Sequence, residues 1–123
     1  MKLQELPKIF SVCRLEPSAE IPAWARNGSF FSITKTNDEL SIVCEQAFVP
    51  SGVKSENDWR VFKVVGPLDF SLTGILASIA QPLAEEKISI FAISTFDTDF
   101  VLVKNRDWLR ACEALEGAGF VFV

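Results

Sequence analysis

Residues 66–103 read GPLDFSLTGILASIAQPLAEEKISIFAISTFDTDFVLV. Leu72, Leu76, Ile79 and Leu83 recur at helical spacing, with Ile75 beside them, so an amphipathic helix is predicted after the Gly66-Pro67 turn. Beyond Lys87 the period changes to two. Ile88, Ile90 and Ala92 point to one side of a strand, and Phe91 and Ile93 to the other. The corner Phe96-Asp97-Thr98-Asp99 reverses the chain into Phe100–Val103. A strand-like run, Trp59–Val65, precedes this stretch; a helix over Arg106–Glu116 and a short Phe120–Val123 follow it. The resulting order is βαββαβ, the ferredoxin-like arrangement of an α+β protein.

Local signals refine this reading. Asp69 or Ser71 can cap the first helix, and Asn105 the second. Pro82 sits inside the helical pattern, where it removes one backbone hydrogen bond and crowds the Ser78 carbonyl, so a kink or break is predicted there. Trp108, Leu109, Cys112 and Leu115 give the second helix its buried face, and Gly117 and Gly119 fit its end.

The chain ahead of this segment is less regular. Met1–Pro7 reads as a polar lead-in and Ile9–Leu15 as a strand. Pro22 opens a short helical turn, Ala23–Arg26, which Asn27-Gly28 stops. Phe30–Lys35 and Glu39–Glu45 form a hairpin around Thr36-Asn37-Asp38. Gln46–Asp58 is the longest segment without a pattern and holds the boundary between halves. The expected organisation is therefore an abbreviated N-terminal half over residues 1–57 and a complete unit over 58–123. Strand, short helix, strand and strand in the first half repeat the second in pattern but not in residues.

Composition narrows the function. The chain has 123 residues, a formal charge of −4 and no histidine. No basic stripe accompanies that charge, which argues against nucleic acid and anionic membrane as partners. There is no charged-then-apolar leader and no apolar run of membrane length, so the expected location is cytoplasmic. Cys13, Cys44 and Cys112 form no CxxC pair and read as reduced thiols. Without histidine, the Ser-His-Asp and Cys-His catalysts and the commonest zinc ligand set are absent. The expectation is a protein that is not an enzyme, with no cofactor, no metal site and no catalytic residue.

Three places merit a chemical reading. At Leu72-Thr73-Gly74-Ile75, the helix start presents free amides and the positive end of the dipole to an anion. Gly74 either admits a ligand close to the backbone or simply permits tight packing of helix on sheet. At Ser94-Thr95-Phe96-Asp97-Thr98-Asp99, two aspartates two apart suit a cation or cationic side chain, with Phe96 over its stem. The same residues also suit a hairpin turn with Asp97 in solvent. Trp24, Trp59 and Trp108 lack interleaved basic residues and read as structural.

Gly66-Pro67-Leu68-Asp69-Phe70, Thr73-Gly74-Ile75, Pro82-Leu83-Ala84 and Ile93-Ser94-Thr95-Phe96-Asp97-Thr98-Asp99-Phe100 carry a family resemblance. The second half of the chain resembles the ACT domain of the CASTOR and aspartate-kinase type, and the first half follows it loosely. The resemblance implies a regulatory module that binds an amino acid between two ACT units. Carried over residue by residue, it implies that Thr95, Phe96 and Asp99 meet a guanidinium end. It further implies that Ser89-Ile90 of another unit meets the α-amino and α-carboxylate groups, and that Gly74 lies at the helix start. With one good copy per chain, such a site forms between two subunits of a homodimer, whose side-by-side pairing also covers an open sheet edge. If Asp99 pairs instead with Lys63 or Arg60 of its own chain, the preference for a basic amino acid disappears. The leading expectation is thus a non-catalytic amino-acid sensor whose binding is coupled to a protein partner or to the dimer state. The alternative is a ligand-independent dimeric assembly module. A small enzyme would be marked by a strongly perturbed carboxylate or thiol in a deep pocket.

Overall fold

The computed structural model describes all 123 residues, Met1–Val123. In chain order the elements are β1 (Lys2–Glu5), β2 (Phe10–Leu15), β3 (Ser32–Lys35), β4 (Leu40–Glu45), β5 (Lys54–Val64), α1 (Ile75–Glu85), β6 (Ile90–Ser94), β7 (Asp99–Lys104), α2 (Trp108–Gly117) and β8 (Val121–Phe122). They divide into two compact units, one of Met1–Pro7 with Arg60–Val123 and one of Lys8–Trp59. The changeover falls inside β5, between Trp59 and Arg60, and not in a linker.

The larger unit has the predicted βαββαβ order, β5-α1-β6-β7-α2-β8. Its strands lie in the order β6-β7-β5-β1-β8, with β6 antiparallel to β7 (Ile90↔Val103, Ser94↔Asp99), β1 antiparallel to β5 (Leu3↔Val64) and β8 parallel to β1 (Leu3↔Phe122). Met1–Pro7 is therefore no lead-in: it supplies a strand between the first and last strands of the ferredoxin-like unit. Only Leu3 of β1 is buried, so its side chains give little warning. Backbone pairing on both sides holds it, a property no sequence pattern of four residues can display.

One face of this sheet carries Leu3, Phe62, Val64, Val101 and Val103, against which α1 sets Ile79 and Leu83 and α2 sets Trp108, Ala111 and Leu115. Leu109 was expected on the buried face of α2 but is 77% exposed, and Ala111 takes the core position. Asn105 does not cap α2. Its side chain accepts a hydrogen bond from Arg60 Nη1 at 3.1 Å, and Asp107 stands at the N-cap without capping the helix amides, its carboxylate accepting from Arg110 Nη1 at 3.0 Å. The predicted break at Pro82 does not occur, since α1 continues three residues past it. The carbonyl that loses its donor belongs to Ser78, on an exposed turn where water can pair with it.

The Lys8–Trp59 unit pairs β3 with β4, β4 with β2, and β2 with the first part of β5. The hairpin is the one predicted: the Thr36 hydroxyl oxygen accepts the Asp38 and Glu39 amides, each at 3.1 Å. Ala23–Arg26 forms one 3-10 turn with Pro22 just before it and Asn27 at its end. Gln46–Asp58, expected to be structureless, holds a 3-10 turn (Gln46–Phe48) and the opening of β5. Its polar residues pair off around a bulge where β2 slips against β5 between Phe10 and Val12. The Ser11 hydroxyl donates to Asn57 Oδ1 at 2.7 Å, and the Asp58 amide donates to Gln46 Oε1 at 2.7 Å. Cys13, Ala25, Leu40, Ile42 and Cys44 form the core of this unit.

Candidate ligand-binding site

The site is built where the Gly66–Gly74 loop meets the β6–β7 corner. A two-residue reversal at Phe96-Asp97 is closed by the Thr95 amide donating to the Thr98 carbonyl at 2.8 Å. Thr98 then ties the corner to β5 through its hydroxyl, which donates to the Val64 carbonyl at 2.7 Å. The loop is fastened to the same corner by the Leu68 amide, 2.7 Å from the Asp97 carbonyl. Gly66 lies so close that a Cβ there would stand 2.9 Å from the Leu68 nitrogen and 3.4 Å from the Asp97 oxygen.

Between loop and corner opens a cavity of about 270 Å³. Leu68, Asp69, Phe70 and Leu72 come from the loop, Gly74, Ile75 and Leu76 from the start of α1, and Ser94 to Asp99 from the corner. Three carboxylates face it, and no lysine or arginine does. Phe70 and Phe96 stand at its walls, 73% and 79% exposed, edge to face with ring centroids 4.8 Å apart. Two phenylalanines left this open in water are an unusual expense of apolar surface outside a binding site.

The three carboxylates differ in what they already hold. Asp69 accepts the Ser71 amide at 2.8 Å and its hydroxyl at 2.7 Å, and these bonds, the amide first, hold its pKa below the ordinary value. Asp69 thus closes a turn of the loop and does not cap α1. Asp99 accepts the Ser94 hydroxyl at 2.5 Å across the β6–β7 pair. Asp97 is fixed through its backbone carbonyl.

The cap of α1 is Gly74, in the left-handed region at φ 76°. A Cβ at Gly74 would meet no atom within 4 Å, so packing does not require glycine there; backbone conformation does. No side chain caps this end, and Gly74, Ile75 and Leu76 at the start of α1 line the cavity. Leu72, read as part of the helical stripe, lies ahead of the helix and is 51% exposed.

Of the residues singled out in sequence, Gly74, Thr95, Phe96 and Asp99 line this one cavity. Ser89 and Ile90 do not: Ser89 is exposed just ahead of β6, and Ile90 packs on the core. Arg60 is committed elsewhere, to Glu5 by an ion pair, to Asn105, and to the Trp108 ring with its guanidinium carbon 5.1 Å from the centroid. Asp69 and Phe70 were missed as lining residues, although the GPLDF motif contains both. The Cys44 thiol is pushed up by the hydrogen bond it shares with Cys13, followed by burial, inside the Lys8–Trp59 unit, and burial raises Cys112 as well. The cavity carboxylates are not arranged to hold a metal ion. No helix is long and apolar enough to cross a membrane.

The sequence profile of the ACT domain matches residues 54–117, which take in every residue lining the cavity. The chain belongs to the ACT-domain family. A second profile, describing an N-terminal domain, matches residues 8–52. Among relatives of this ACT-domain protein, the bovine (Bos taurus) cytosolic arginine sensor for mTORC1 subunit 1 is 35% identical over 89 residues, 63% of this chain and 27% of the sensor. The chain thus spans about a quarter of that relative's length. A crystal structure of an Agobacterium tumefaciens protein superposes with a TM-score of 0.94 at 43% identity, over 99% of this chain and 91% of that one. The regulatory subunit of Thermus thermophilus aspartate kinase shares the fold, with a TM-score of 0.63 at 10% identity over 91% of this chain and 93% of its own.

Proposed function

We propose that this ACT-domain protein is a non-catalytic sensor that binds an amino acid with a cationic side chain, arginine being the leading candidate, between two copies of the chain. The observation that carries the reading is a cavity faced by three carboxylates and two exposed phenylalanines with no basic residue among its walls. Such a lining attracts a cation and supplies aromatic surface for its stem. The uncapped start of α1 beside Gly74 offers the opposite polarity to a carboxylate. Similarity to an arginine sensor agrees in chemistry.

Homodimerisation follows from the edge of β6, which pairs only with β7. Antiparallel pairing of two β6 edges about an axis at Ala92 sets Ser89 of one copy opposite Thr95 of the other, and Ile90 opposite Ser94. Ser89 and Ile90, absent from the cavity within one chain, then reach the cavity of the second copy. Ligand binding shifts the dimer or a partner complex by its differential affinity for the two states.

The test is thermal unfolding with each standard amino acid at millimolar concentration, followed by titration calorimetry. A ligand at a hundred times its Kd adds about 2.7 kcal/mol, which raises the midpoint by several degrees. Arginine or lysine should do so, and Asp99→Ala should abolish the shift while leaving the unliganded midpoint within about 2 °C. A flat screen would reject the sensor in favour of the assembly module, and undiminished binding by Asp99→Ala would reject the corner as the cationic subsite.

A further inference from the structure

Resting on the sensor reading, we infer that Asp97 is a second contact for the ligand's cationic end, and that it makes the site select a planar guanidinium over an ammonium. Asp97 lines the same cavity as Asp99 and follows the exposed Phe96 ring directly. Its backbone is pinned: the carbonyl takes the Leu68 amide at 2.7 Å, and Gly66 packs against that oxygen. The other two carboxylates have intramolecular donors, Ser71 on Asp69 and Ser94 on Asp99. The backbone of Asp97 is thus fixed at the cavity while its carboxylate accepts no hydrogen bond within the chain, whereas both neighbouring carboxylates do.

The consequence is geometric. Ser94 already occupies one lone-pair site on Asp99 Oδ1, so Asp99 meets a guanidinium fork with part of its acceptor capacity taken. A head group with one cluster of three donors is served by the remaining acceptor sites of Asp99 and nearby backbone carbonyls. A guanidinium has five donors in one plane and leaves some unpaired unless a second acceptor stands beside the first. Asp97, one residue removed across Thr98, supplies that acceptor, and Phe96 supplies a face against which the plane can lie.

The experiment is calorimetric titration of L-arginine and L-lysine into the wild type, Asp97→Asn and Asp99→Asn. Loss of one charge-assisted contact in Asp97→Asn should weaken L-arginine about tenfold and L-lysine less than about threefold. Asp99→Asn should weaken both by a similar factor. Thermal unfolding without ligand checks that each variant is folded. If Asp97→Asn weakens both ligands equally or neither, Asp97 is a solvated turn residue and the inference fails while the sensor reading stands. If the wild type binds neither ligand, the sensor reading for basic amino acids fails and takes this inference with it.

Discussion

Replacing Arg60 by methionine separates what holds the fold from what binds the ligand. The Arg60 guanidinium reaches three elements: Glu5 on β1, Asn105 ahead of α2, and the ring of Trp108 within it. Methionine keeps much of the aliphatic stem and deletes all three contacts. The ion pair is partly open, with side chains 28% and 33% exposed, so solvent screens it to about 1 kcal/mol. The cation–π contact contributes about 0.5–1 kcal/mol, and the bond to a neutral amide a similar amount. Arg60→Met should therefore cost about 2–3 kcal/mol in urea unfolding followed by circular dichroism, and lower the midpoint by about 10 °C for a chain of this size. A double-mutant cycle with Glu5→Gln isolates the ion pair at about 1 kcal/mol. The same variant should bind an amino acid with unchanged Kd, because Arg60 does not line the cavity. A stability loss below about 0.5 kcal/mol would refute the bridging role, since surface changes of no structural weight fall in that range. A large loss of affinity in a fully folded variant would refute the separation of Arg60 from the site.

Two further outcomes follow from the loop. Gly74→Ala places a Cβ in open space but at φ 76°, so its cost is conformational, about 1–2 kcal/mol; urea unfolding no worse than wild type would show that the helix start relaxes freely. Asp69 has a folded-state pKa below its ordinary 3.8, so its support of the loop is complete above 3.8 and is lost as pH falls through the lower folded value. The Ser71 amide resonance should therefore titrate with an acid midpoint below 3.8, and a midpoint at or above that value would contradict the Asp69–Ser71 bond.

The βαββαβ order was legible because each element announces its own period: Ile79 and Leu83 recur on a helix, and the Ile88–Ile93 run alternates. What failed was long-range. β1 shows one buried side chain in four residues and exists because β5 and β8 pair with it. Gln46–Asp58 showed no pattern because its polar atoms find partners, Asn57 with Ser11 and Asp58 with Gln46, that no local period marks. Pro82 is tolerated because the carbonyl it abandons faces solvent. At the site, Gly74 and the Thr95–Asp99 corner stood out as a glycine before a helix and an acidic turn. Asp69 and Phe70 did not, because long-range contacts, the Leu68–Asp97 hydrogen bond and the Phe70–Phe96 ring pair, fold their loop over the corner. Ser89 and Ile90 were named from resemblance, and a single chain does not bring them to the cavity.

The intercalated first strand sets an order of events during synthesis. Residues 8–59 form a unit whose partners lie close together along the chain, so it can acquire structure while the rest is still being made. The ferredoxin-like unit cannot. Its sheet needs Leu3 beside both Val64 and Phe122, a closure across nearly the whole length. That gives it a high contact order and a slow, late step. Until Val121 and Phe122 emerge, one edge of β1 stays open, and the half-built sheet exposes the pairing groups through which nascent chains stick to one another. The sheet is thus most exposed to misassembly in the interval between completion of β5 and pairing of β8.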